Sequence, residues 1–145
     1  MTKRLPKCLV KIHGKPILQY GIEAMRSAGI NDIVVIRGYL SQKIKFKGVR
    51  YLGNNAYAET NMVETLFCAA EEFNSDVIIS YSDIIYTPSI VSTLAESNCD
   101  VGVIIDRDWH RLWSLRMEDP LSDAETLEID LQGNIREIGR KAVTY

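Results

Sequence analysis

Apolar positions along this chain fall into two alternating patterns, short β-branched runs and stretches with helical spacing. Cys8-Leu9-Val10-Lys11-Ile12 reads as a short strand or extended segment, stopped by His13-Gly14. Pro16 suits the first turn of a helix, where its missing N–H leaves nothing unsatisfied. Leu18, Ile22 and Met25 then recur at helical intervals, marking one face of a helix that Gly29 ends. Asp32-Ile33-Val34-Val35-Ile36-Arg37-Gly38 is a nearly continuous apolar run, the pattern of a strand covered on both faces. Residues 41–46 predict a short helix and residues 49–52 a further strand. Asn61 is placed to cap the next helix, with Glu64 as the return half of a capping box, and Met62, Leu66, Ala70 and Phe73 mark its buried face. Residues 77–81 form another apolar run ending at Ser82-Asp83. Thr87-Pro88 then opens a helix to about Glu96 as N-cap and first helical residue. Residues 101–105 predict one more strand, ending at Asp106. Beyond Pro120, Thr126-Leu127-Glu128-Ile129-Asp130-Leu131, Gln132-Gly133-Asn134 and residues 135–138 read as a hairpin with glycine in its turn.

Repetition of strand, helix and strand with short links predicts an α/β fold: a mostly parallel sheet with helices on both faces, in three layers. No linker, internal repeat or low-complexity tract interrupts residues 1–145, which are expected to form a single domain. In an open parallel sheet, ligands bind beyond the carboxyl ends of the strands. Three polar features fall at such ends: Arg37-Gly38-Tyr39, Ser82-Asp83 and Asp106-Arg107-Asp108.

Composition removes several classes. With 46% hydrophobic and 25% charged residues the chain is neither a disordered tail nor a collagen-like repeat. No apolar run approaches the roughly 20 residues a membrane-spanning helix needs. Met1-Thr2-Lys3-Arg4-Leu5-Pro6-Lys7 lacks the apolar stretch of a secretory signal, and Cys8, Cys68 and Cys99 stand apart without metal-ligand spacing. Together these predict a reduced, cytoplasmic protein. Charge changes the picture more. The net charge of −2 divides into +9 over residues 1–50 and −11 over the remainder. A basic third on an acidic chain points to an anion handled at one end of the fold. That anion is not expected to be nucleic acid, since the basic stretch has few interleaved aromatics and no helix-turn-helix, zinc-finger or RNP pattern.

Asp83, directly after an apolar run, is placed to hold a hard cation such as Mg²⁺; equally, it could cap the turn before Thr87-Pro88, and position alone leaves both readings open. Lys7, in a basic segment stiffened by Pro6, could meet phosphate as a point charge, although plain solvation is the commoner fate of a surface lysine. No zinc spacing, no G-x-S-x-G turn and neither of the common glycine-rich phosphate loops is present, so a protein nucleophile is not expected. The segment Asp106-Arg107-Asp108-Trp109-His110-Arg111-Leu112-Trp113-Ser114-Leu115-Arg116 gathers both tryptophans beside arginines and acids. Such rings could hold a quaternary ammonium by cation–π attraction, or could cover a sheet edge while the charges pair around them.

The run Leu5-Pro6-Lys7-Cys8-Leu9-Val10-Lys11-Ile12-His13-Gly14-Lys15-Pro16-Ile17-Leu18, with Gly29-Ile30-Asn31-Asp32-Ile33-Val34-Val35 and Arg37-Gly38-Tyr39, resembles the sugar-phosphate nucleotidyltransferase family. Within that family it is most similar to the bacterial choline-phosphate cytidylyltransferase-like branch. Asn55, Tyr57, Thr60, Asn61 and Ser82-Asp83-Ile84 resemble that branch's next landmarks, with Ser82 where the family usually has glycine. The segment from Trp109 to Glu125 resembles a pattern found in a subset of these proteins. The resemblance implies a Rossmann-like nucleotidyltransferase fold and transfer of a nucleotidyl group, cytidylyl above all, from an NTP to a phosphomonoester such as phosphocholine or a sugar phosphate. Pyrophosphate would leave. It implies Lys7 at the nucleotide phosphates, Asp83 as the Mg²⁺ ligand, and Asn55, Tyr57, Thr60 and Asn61 shaping the nucleotide or acceptor pocket. Trp109, Trp113 and Arg116 are assigned to the substrate as well.

Family members carry a strand and a G-x-G-x-R loop before the Pro-Lys element, and further strands with a second acidic metal ligand after the hairpin. The chain therefore reads as the middle of such an enzyme, truncated at both ends. Unpaired strand edges would favour a homo-oligomer. Two other readings stand beside transfer: a non-catalytic nucleotide-binding or assembly module derived from this fold, and a glycosyltransferase, against which the lack of a D-x-D motif at Asp83 argues.

Overall fold

The computed structural model describes residues 3–143, which belong to two compact units, Met1–Val103 and Ile104–Tyr145. The class is α/β, with parallel pairing in the first unit and an antiparallel hairpin in the second.

The first unit begins with a 3₁₀ turn, Lys7–Leu9, where an extended segment is predicted. The turn buries Cys8 and leaves Lys7 outward. β1 (Lys11–Ile12) and β2 (Lys15–Pro16) then pair antiparallel across His13 (φ +50°) and Gly14 (φ +82°). Two left-handed residues in succession match the right-handed twist of flanking strands, which is why so short a hairpin closes here. α1 (Ile17–Ser27) follows with Pro16 as its N-cap and ends before Gly29 (φ +89°). Leu18, Ile22 and Ala24 are buried, and Met25 packs partly against the core.

β3 (Val34–Arg37) pairs parallel with β4 (Arg50–Gly53). Between them, the helix expected over residues 41–46 shrinks to a 3₁₀ turn at Ser41–Lys43. Side chains fasten this connection to the strands. Arg37 Nη1 donates to the carbonyls of Ser41 (3.3 Å) and Ile44 (3.1 Å), and its guanidinium lies 4.0 Å from the centre of the Tyr51 ring. The Phe46 N–H donates to the Tyr51 hydroxyl. Arg26 of α1 donates to the carbonyls of Lys47 (2.7 Å) and Gly48 (2.9 Å). Cys8, Leu18, Ile22, Ile33 and Ile44 form the core beneath, with Val35, Phe46 and Tyr51 against it. Burying each large aliphatic chain contributes about 1.5–3 kcal/mol.

α2 (Met62–Phe67) carries the predicted capping box: Asn61 Oδ1 accepts from the Val63 and Glu64 N–H groups, and Glu64 accepts from the Asn61 N–H. Its predicted buried face is corrected. The helix stops at Phe67, Met62 is 62% exposed, and Ala69 is the residue of that stretch that becomes buried. The strands expected at 77–81 and 101–105 are corrected too, because neither run takes a ladder partner among the described residues. A doubly covered strand needs a neighbour on each side; without them Ile79 and Val103 stay exposed. α3 (Pro88–Ala95) starts at Thr87-Pro88 as predicted and buries Val91. It packs on α1, where Tyr86 takes the space above Gly21.

The second unit holds α4 (Trp109–Ser114) and the predicted hairpin, β5 (Glu125–Ile129) with β6 (Ile135–Lys141). Gly133 (φ +87°) closes the turn, and Asp130 accepts from the Gln132 and Asn134 N–H groups inside it. These Asn134 bonds, helped by Arg136, hold the Asp130 carboxyl below its ordinary value.

Candidate functional site

Lys7 and Asp83, separated by most of the first unit in sequence, meet in space. The Lys7 ammonium donates to Asp83 Oδ2 at 2.5 Å. The lysine side chain is 73% exposed and the aspartate 26%, so the pair opens to solvent on the lysine side. Local structure explains the meeting. The Lys7–Leu9 turn sends Cys8 into the core and Lys7 out, while Ser82-Asp83 form a tight turn at the end of the 77–81 run. Ser82 and Asp83 also both act on the Cys8 thiol, so the two segments are neighbours at that residue as well. Burial pushes the Cys8 thiol above its ordinary value; the backbone and Ser82 oppose that, and the Asp83 charge reinforces it. A thiol raised above its ordinary value stays protonated near neutral pH, and Cys8 packs in the core.

The other predicted first-unit residues lie on the loop after β4. Asn54, which the sequence reading passed over in favour of Asn55, organises this loop. It is 5% exposed, and its side chain donates to Thr60 Oγ1 (2.7 Å) and Thr65 Oγ1 (2.8 Å) while accepting from the Ala56 N–H (2.9 Å). Its own N–H donates to the Arg37 carbonyl, which ties the loop to the end of β3. Two adjacent asparagines after a strand gave no sign of which would turn inward. Thr60 also donates to the Ala56 carbonyl, and Asn61 is the cap of α2, so both spend their side chains on local structure. Asn55 and Tyr57 face solvent. Tyr57 lies against Gly38 and 6.3 Å from the Tyr39 ring. The Tyr39 hydroxyl in turn donates to the Lys3 carbonyl at 2.8 Å, connecting this loop to the segment that carries Lys7.

Gly38 is required there for a steric reason. A Cβ at this position would stand 2.5 Å from Tyr57 Cβ and 2.7 Å from its Cγ. Gly38→Ala is expected to cost about 1–3 kcal/mol as the tyrosine is forced aside. Chemical denaturation measures this loss, and adding Tyr57→Gly, which removes the Cβ that stands 2.5 Å away, should recover most of it.

In the second unit, Trp109 and Trp113 meet edge to face with ring centres 5.9 Å apart, and His110 sits against Trp109. Arg111 pairs with Asp108 at 2.6 Å, and the Arg116 N–H donates to the Trp113 carbonyl. The tryptophans are half-buried within α4, and Arg116 is exposed.

The profile of the MobA-like NTP transferase domain matches residues 1–141. The chain belongs to this family. Among relatives, it is 41% identical over 156 residues to the CTP:phosphoglutamine cytidylyltransferase of Campylobacter jejuni, covering 100% of this chain and 61% of that protein. It is 33% identical over 101 residues to the choline-phosphate cytidylyltransferase of Streptococcus pneumoniae, covering 67% of this chain and 44% of that one. A solved structure of a CTP:phosphocholine cytidylyltransferase from Streptococcus pneumoniae matches 49% of this chain and 33% of its own, with 39% identity and a TM-score of 0.47. The chain thus spans 61% or less of the length of these NTP transferase relatives. Membership agrees with the resemblance carried by the Pro6-Lys7 and Gly14-Lys15-Pro16 elements. No helix among the described residues is long and apolar enough to cross a membrane.

Proposed function

We propose that the chain carries part of the machinery that transfers a cytidylyl group from CTP to a phosphorylated small acceptor. An oxygen of the acceptor phosphomonoester attacks the α-phosphorus and forms a new P–O bond. The bond from that phosphorus to the oxygen bridging to the β-phosphate breaks, and pyrophosphate leaves with the electron pair. Such a reaction calls for positioning and charge neutralisation rather than a protein nucleophile. The observation that supports this reading is the Lys7–Asp83 contact, which puts a cation and a carboxylate at one solvent-open point. Family membership and the cytidylyltransferase names of the relatives support the nucleotide and the acceptor class.

Mg²⁺ fits Asp83 in a limited way. No group of three or more His, Cys, Asp or Glu side chains comes together among the described residues, so the protein offers no closed cage. Mg²⁺ usually keeps several waters and takes one or two carboxylates plus substrate phosphates; Asp83 supplies one carboxylate, which Lys7 occupies and would have to release. When bound, the ion would neutralise phosphate charge. Lys7 then serves as a mobile counter-charge that exchanges Asp83 for a phosphate oxygen. Asn55 and Tyr57 contact the nucleotide or acceptor, and Thr60 and Asn61 hold their loop in shape. We assign acceptor recognition in the second unit to Trp109, Trp113 and Arg116.

Incubation with CTP, Mg²⁺ and phosphocholine or a related phosphomonoester tests the reading through pyrophosphate release. No product from either this chain or a version extended to the length of its relatives would end it. Trp113→Leu should weaken turnover of a quaternary-ammonium acceptor more than that of a sugar phosphate, since each ring contributes about 0.5–2 kcal/mol of cation–π attraction. Equal losses would leave the tryptophans a packing role.

A second reading, a non-catalytic nucleotide-binding or assembly module, is favoured by one observation. Ile79, Tyr81 and Val103 are 59%, 59% and 50% exposed on runs with the composition of buried strands. Such edges promote association with another chain. It requires a homo-oligomer by light scattering and no product at any Mg²⁺ concentration.

A further inference from the structure

The ammonium of Lys7 ends a long, flexible side chain, so its place is set by how firmly the backbone on both sides is held. On the C-terminal side the hold is the core itself. Cys8 is 5% exposed, and the Leu9 and Val10 N–H groups donate to the Pro6 and Lys7 carbonyls. On the N-terminal side, residues 3–6 belong to no helix or strand, and Lys3 and Arg4 are exposed. Two distant side chains grip this stretch. The Tyr39 hydroxyl donates to the Lys3 carbonyl at 2.8 Å, and Lys43 Nζ donates to the Arg4 carbonyl at 2.6 Å.

Both grips come from one short stretch after β3. Leu40 there takes the left-handed conformation (φ +48°), which turns the chain between Tyr39 and the Ser41–Lys43 turn. Arg37, from the strand, secures that turn through the Ser41 and Ile44 carbonyls. A continuous series of contacts thus leads from the core strand through Arg37, then Tyr39 and Lys43, to the strap ahead of Pro6. The buried ring of Pro6, with φ fixed at −55°, passes the strap's direction on to Lys7.

We propose that Tyr39 and Lys43 are positioning residues that fix the backbone ahead of Lys7 by gripping the Lys3 and Arg4 carbonyls, so that its side chain starts within reach of Asp83 and of a bound phosphate. The proposal builds on the reading of Lys7 as the phosphate-contacting group. Lys43 acts through the strap and does not itself meet the ligand. Misplacing a contacting group by about 1 Å is enough to cost up to 100-fold in rate, so two exposed hydrogen bonds far from the chemistry can matter.

Two measurements on the full chain decide this. In limited trypsin digestion followed by mass spectrometry, the Arg4–Leu5 bond should be cut about 3- to 10-fold faster in Lys43→Met and in Tyr39→Phe, which keeps its ring against Tyr57. Lys43→Arg, which keeps a donor, should return to the unaltered rate. In calorimetric titration with CTP and Mg²⁺, Lys43→Met should weaken binding by about 3- to 10-fold, and that loss should vanish in a Lys7→Met background. Unchanged cleavage in both variants would overturn the proposal. So would an equal loss in the Lys7→Met background, because Lys43 would then touch the nucleotide itself. Absence of CTP binding by the unaltered chain would sink the phosphate reading, and the cleavage rates would still decide whether the strap is held.

Discussion

On the function proposed above, Asp83→Asn is expected to lower Mg²⁺-dependent cytidylyl transfer by at least about 100-fold while leaving the protein folded. The two effects separate because of where the charge sits. Lys7, the partner of Asp83, is 73% exposed, and an ion pair so open to water contributes at most about 1 kcal/mol to stability. An amide at position 83 keeps the size of the carboxylate and loses the charge that faces Lys7 and would face a metal ion. Pyrophosphate release should therefore collapse at saturating CTP, with the thermal midpoint nearly unmoved. Transfer surviving at the unaltered rate would remove Asp83 from the phosphate chemistry. A large drop in midpoint would instead mark it as a turn-forming residue.

Asn54→Ala is expected to show the opposite profile, a loss of stability of about 2–3 kcal/mol. Its buried amide satisfies two threonine hydroxyls and one backbone N–H, and alanine leaves all three without that partner. At this chain length such a loss lowers the midpoint by roughly 5–10 °C. The same loop carries Asn55 and Tyr57, the proposed nucleotide or acceptor contacts, so on that proposal affinity should fall with it. A midpoint within about 1 °C of the unaltered protein would mean that water replaces the side chain at no cost.

Local signals were read well from the residues and distant ones poorly. The Asn61–Glu64 capping box, the Thr87-Pro88 helix start and the Gly133 hairpin each depend on neighbours within a few positions, and each forms as read. The apolar runs at 77–81 and 101–105 depend on which strands lie beside them, which periodicity does not reveal; they stay unpaired among the described residues. Lys7 and Asp83 stand out separately in the sequence, one by its basic setting and one by its place after an apolar run. Their 2.5 Å contact is a product of the fold. Asn54 went unread because burial chose between two identical neighbours, and Tyr39 and Lys43 because their targets are main-chain carbonyls, which leave no trace in side-chain chemistry.

The loop after β4 is pinned at both ends by position rather than by composition: Asn54 hangs from the Arg37 carbonyl, and Asn61 starts α2. Its outward residues are held by few contacts, Tyr57 against Gly38 and Tyr39 excepted, so point changes there alter what the loop touches without undoing its anchors. Adding or removing a single residue between those two asparagines would change the span that lets one amide reach both Thr60 and Thr65. Diversification at this site is therefore confined to spelling, with word length held constant.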